Sequence, residues 1–90
     1  MKVILPSVPP GTLLHLRAGE WYTGGAPAME ETEIQVVAID RTDPRTRDGE
    51  PEVWVSAHWS TCMHPMRQGH LRCFGNYIRV TAIVREVAAR

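Results

Sequence analysis

The sequence predicts an all-β domain, either a small SH3-like barrel or a strongly bent antiparallel sheet of four to six strands. Three observations carry this reading. Apolar and polar residues alternate with a period of two over several short segments. Seven prolines and seven glycines divide the chain into pieces of hairpin length. No segment is read as holding helical spacing for more than a turn, so no helix longer than two turns is expected. An OB-like barrel is the alternative closure, although such folds usually run longer and include a helix. Ninety residues supply one core, and residues 1–90 are expected to form one barrel-like domain.

The elements follow in chain order. Pro9-Pro10-Gly11 is a turn, because proline fixes φ at one corner and glycine accepts positive φ at the next. Thr12 to Arg17 reads as the first strand, with Leu14 and Leu16 on one face and His15 on the other. Glu20 to Thr23 is a short strand ended by Gly24-Gly25-Ala26-Pro27. Glu33 to Asp40 is dense in β-branched residues and reads as the next strand. Residues 41–51 contain no apolar side chain, which suits a solvated hairpin tip turning at Asp48-Gly49. Glu52 to Trp59 alternates cleanly: Val53, Val55, Ala57 and Trp59 face one way, and Trp54, Ser56 and His58 the other. From Asn76 a final strand is expected to carry Ile78, Val80, Ala82 and Val84 on one face. Tyr77, Arg79, Thr81 and Arg85 then share the opposite face.

Composition narrows the function classes. Apolar residues make up 43% and charged residues 22%, which are globular rather than disordered proportions. No apolar run approaches the roughly 20 residues that span a bilayer. The opening residues, Met1 to Pro6, are too short for a signal-peptide core. A cytoplasmic protein with no membrane partner is therefore expected. Net charge is zero, yet residues 1–52 carry five basic against nine acidic side chains, and residues 53–90 carry five arginines against Glu86. The halves, at −4 and +4, can pair between copies or interleave within one fold and cancel.

The stretch Glu52-Val53-Trp54-Val55-Ser56-Ala57-His58, with the Cys/His segment after it, resembles small uncharacterised proteins of actinobacteria and their phages. The resemblance covers the C-terminal half. It implies an accessory or phage-related role, no settled activity, and no site residues.

Two constellations bear on chemistry. Between His58 and Cys73 lie both cysteines and three of the four histidines. Cys62, His64, His70 and Cys73 could supply the four N or S ligands of a structural zinc, with His58 as a substitute. Their spacing argues against a metal: Cys-x-His leaves one residue between the first pair, where paired ligands favour two to four. No cofactor is therefore expected, and the thiols read as small apolar groups or as a disulfide pair. A Cys/His nucleophile lacks an orienting third group at any readable position, so no catalytic residue is assigned.

The second constellation is aromatic. Trp54 and Tyr77 fall opposite the apolar stripes of their strands, so each can stand on the outer surface. With Arg72, Arg79 and Arg85 they could form a partner-binding face, since Trp, Tyr and Arg dominate interface hot spots. The expected function is a non-enzymatic protein-interaction or self-association module. A nucleic-acid-binding barrel is the alternative, in which the same rings stack bases and the arginines meet phosphates. The near-neutral pI of 6.9 favours the protein partner, because nucleic-acid binders are usually basic.

Overall fold

The computed structural model describes residues 3–62 and 72–89. Six strands and one helix follow in order: β1 (Leu13–Leu16), β2 (Tyr22–Thr23), β3 (Ala26–Pro27), β4 (Thr32–Arg47), β5 (Glu50–Trp59), β6 (Phe74–Arg79) and α1 (Val80–Ala88). Four strands pair antiparallel in the order β1-β4-β5-β6, and β2 and β3 form a separate small hairpin. The larger sheet curls into a half-barrel, which is the bent-sheet form of the expected all-β class.

Alternation builds the inner face. Leu14 and Leu16 from β1, Ile34 and Val36 from β4, Val53, Val55 and Ala57 from β5, and Ile78 from β6 are all buried. The register lays Leu14 beside Ile34 and Val53 beside Ile78, so the inward rows meet across the ladder. Trp21 closes one end. Its indole N–H donates to the Glu30 carbonyl at 3.0 Å, and its ring meets Trp59 edge-on at 6.1 Å.

Two irregularities in β4 decide how the sheet bends. Val36 pairs with Ala57 and Ala38 with Ser56, so Val37 is an extra residue that reverses the phase of the strand. Ile34 and Val36 point inward before this bulge, and Ile39 packs against the core after it. The second lies between Asp40, opposite Trp54, and Arg45, opposite Glu52. Asp40 Oδ1 accepts the Thr42 N–H at 2.8 Å and the Thr42 hydroxyl at 2.6 Å, a local turn that takes Pro44 out of the ladder. Pairing then resumes to Arg47 and Glu50, and Asp48-Gly49 turns the chain at φ 50° and 78°. Both corners need positive φ, so Asp-Gly suits this hairpin. The polar stretch 41–51 is therefore a hairpin tip built largely of paired strand.

The final strand departs from expectation. It ends at Arg79, and Val80–Ala88 form a helix of nine residues, longer than the two turns allowed for. The pattern 80, 82, 84 that reads as a strand coexists with 80, 83, 87, which reads as a helix. Ala82 and Ile83 are both fully buried, which consecutive residues on one strand cannot achieve against a single core. The ladder also runs out of partners: Arg79 lies opposite Glu52, and the next residue of β5 is Pro51, which has no N–H. Val80 and Ala82 reach the core as expected, but from a helix. Among the described residues, no helix is long and apolar enough to cross a membrane.

The helix seals an edge of the sheet. On the outer edge of β1, the His15 N–H donates to Glu86 Oε1 at 2.7 Å, and its carbonyl accepts from Arg85 Nη2 at 2.9 Å. Arg85 also grips both oxygens of Glu20, at 2.6 and 2.9 Å, and donates to Glu86 at 3.2 Å. The β6 edge is covered from the other side: the Asn76 amide bonds both the N–H and the carbonyl of Tyr22, and Arg79 N–H donates to the Glu20 carbonyl. Burial alone would raise the Glu20 and Glu86 carboxyls. The hydrogen bonds and charge of Arg85, with the backbone donors of Arg17 and His15, outweigh it and hold both below the usual range.

Because the folded pKa values are depressed, this stability is present above the unfolded carboxylate value of about 4.3 and is lost as pH falls through the folded values. Arg85→Ala should lower stability by about 2 kcal/mol at neutral pH, a fall in Tm of about 10 °C for a chain of this size. The variant should also lose part of the wild-type decline below about pH 4. Thermal melts followed by circular dichroism across that range check both. Equal melts for the two proteins would refute the clasp.

Candidate functional site

The outer face of the sheet carries the site. Alternation along β5 turns Trp54, Ser56 and His58 outward, and along β6 it turns Gly75, Tyr77 and Arg79 to the same side. Trp54 and Tyr77 are directly opposed across the ladder, with centroids 5.2 Å apart and planes at 77°. Such an edge-to-face pair contributes about 1 kcal/mol beyond its buried area. Gly75 makes room for it. A Cβ there would stand 2.3 Å from Trp54 Cζ2 and 2.8 Å from Cε2, so the indole lies where any other residue would project a side chain. Arg72 reaches the same spot and donates to Ser56 Oγ at 3.3 Å.

The second bulge of β4 brings the hairpin tip over these rings. The Arg45 guanidinium sits 4.1 Å above the Tyr77 ring, and that of Arg47 sits 4.6 Å above Tyr22. Glu52, 3% exposed, accepts the Tyr22 hydroxyl. Burial, and then the hydrogen bond to and charge of Glu52, push the Tyr22 phenol above its ordinary value, so it stays protonated and donates. Together with Asn76 and Gly25 these groups line a cleft of ≈ 340 Å³.

The five residues expected to bind a partner divide. Trp54 and Tyr77 line the cleft, and Arg72 stands beside Trp54. Arg79 lies opposite Glu52 at the end of β6, where its Nε is buried without a hydrogen-bond partner among the described residues. Arg85 is held at the β1 edge by Glu20, Glu86 and His15, and it does not line the cleft. Tyr22, Arg45, Arg47, Glu52 and Asn76 escaped the sequence reading. Arg45 and Arg47 carry one usable signal: spaced by two before an Asp-Gly turn, they must share a face of the hairpin.

A second cluster lies further along the same face. His58, Cys62 and Cys73 hold their ligand atoms within 4.8 Å of one another, with His58 Nδ1 3.6 Å from Cys73 Sγ. His58 lies on β5, on the face expected from alternation, and is buried there; the two thiols are partly covered and not joined by a disulfide. Burial, and then the neighbouring Cys62, raise the Cys73 thiol above its usual value. Of the four ligands considered from sequence, Cys62 and Cys73 come together, while His64 and His70 lie outside the described residues. His58, the substitute, completes the described set.

Comparison with protein-family models, curated proteins and solved structures finds no match for the chain.

Gly75→Ala should push the Trp54 indole off the sheet. In a heteronuclear NMR spectrum, the indole N–H peak of Trp54 should move while those of Trp21 and Trp59 stay in place. A Trp54 peak at its wild-type position in a folded variant would refute this packing.

Proposed function

We propose that this chain is a non-enzymatic protein-interaction module that takes its partner in the Trp54–Tyr77 cleft. One observation carries the reading. An aromatic pair faces outward in a concave site rimmed by two arginines, which is the composition of an interface hot spot. Arg45 and Arg47 stand over the tyrosine rings at the exposed hairpin tip, where guanidinium N–H groups can meet a partner's carboxylates or carbonyls. The partner suited to this cleft sets an apolar side chain against Trp54 and acidic groups along the hairpin tip.

The same geometry weighs against nucleic acid. Base stacking needs open ring faces, and one face of each tyrosine is covered by an arginine. Glu52 adds a carboxylate to the cleft lining, which disfavours phosphate. Self-association through the −4/+4 split loses part of its basis, because Arg85 of the basic half neutralises Glu20 of the acidic half within one chain.

A photoreactive side chain at Thr46, on the exposed rim, should crosslink the partner, and sedimentation shows whether that partner is a second copy. Trp54→Ala should weaken the captured complex about 30-fold while the fold persists by circular dichroism. Titrations against DNA and RNA at two salt concentrations supply the opposing outcome. Micromolar binding that falls steeply with salt and depends on Trp54 would overturn the proposal in favour of a nucleic-acid module.

A further inference from the structure

We infer that His58, Cys62 and Cys73 form a binding site for a zinc-class divalent ion. Three independent features support it. The first is geometry. Ligand atoms around a tetrahedral zinc, with bonds of about 2.0–2.3 Å, stand about 3.5–3.8 Å apart. His58 Nδ1 and Cys73 Sγ are 3.6 Å apart, and all three ligand atoms fall within 4.8 Å, so small side-chain rotations close the set.

The second is the backbone that carries the ligands. His58 sits near the end of β5, and the chain turns at once, with the Cys62 N–H donating to the Trp59 carbonyl at 2.9 Å. His58-x-x-x-Cys62 is thus a ligand pair folded on one turn, within the usual spacing of two to four residues. Cys73 is fixed from the other side, because its N–H donates to the carbonyl of Ala57, the residue before His58. The Cys-x-His spacing that counted against a metal does not enter this set.

The third is donor chemistry. One imidazole and two sulfurs are soft ligands that select zinc over calcium or magnesium. A ligand set on two sequence-distant segments would also crosslink a domain with a small core. The described residues supply three ligands, and a tetrahedral ion takes its fourth from water or another side chain.

The full chain, purified reduced and without chelator, should carry about one equivalent of zinc by elemental analysis. After the metal is stripped, titration with cobalt(II) should produce a thiolate-to-cobalt charge-transfer band and the d–d bands of a tetrahedral ion. Cys62→Ser and Cys73→Ser should each weaken cobalt binding about 100-fold or more. The wild-type spectrum keeps the test decisive if the variants do not fold. Absence of the charge-transfer band in the reduced wild-type chain would overturn the site. So would an undiminished band in the double serine variant, or a Cys62–Cys73 disulfide found by mass spectrometry in place of bound metal. None of these readouts depends on a partner, so the cleft and the metal site stand or fall separately.

Discussion

An open antiparallel sheet has two edges, each a row of unpaired N–H and carbonyl groups that invites another strand. Closing those edges is the constraint on which this structure depends. Among the described residues the main sheet has four strands and does not close into a full barrel, and side chains take over the work. Arg85 and Glu86 present a donor and an acceptor to His15, much as a neighbouring strand would. The Asn76 amide does the same for the backbone of Tyr22 beside β6. Glu20 joins the two closures, since its carboxylate holds Arg85 while its carbonyl accepts from Arg79.

That closure explains why Arg85 is not equivalent to the arginines of the hairpin tip. A guanidinium that holds two carboxylates and a strand carbonyl is structural, and removing it would leave two partly buried carboxylates without their counter-charge. Arg45 and Arg47 lie instead over the Tyr77 and Tyr22 rings on the exposed hairpin tip. The turn at Asp40 links these roles. It removes Pro44 from the ladder and, by the same displacement, lays the hairpin tip across the outer face.

The outer face of β5 is continuous from the cleft to the thiol cluster. Glu52, Trp54, Ser56 and His58 project from alternate positions, and Cys73 and Gly75 stand near their far end. Gly75, two residues from Cys73, is the surface on which the Trp54 indole rests. An ion bound by Cys73 would fix the start of β6 and hence the platform under the cleft. The proposed metal site and the proposed cleft are thereby connected through one strand.

Period-two alternation is a local property, and what depended on it was readable from the sequence. The β-rich class, the inward Leu14, Leu16, Val53, Val55 and Ile78, and the outward Trp54 and Tyr77 needed only the parity of residues along a strand. The Asp48-Gly49 turn needed only the φ preferences of two residues. The rest was decided by groups far apart in the chain. Residues 80–88 satisfy both a strand and a helix pattern, and the choice fell to the end of pairing at Arg79 and to a core that takes Ala82 and Ile83 together. Arg85 became structural because Glu20, 65 residues away, lies beneath it. Cys73 joined His58 and Cys62 because an antiparallel register, which spacing along the chain does not specify, set β5 against β6. Parity belongs to the sequence; register, and the partners it delivers, belong to the tertiary structure.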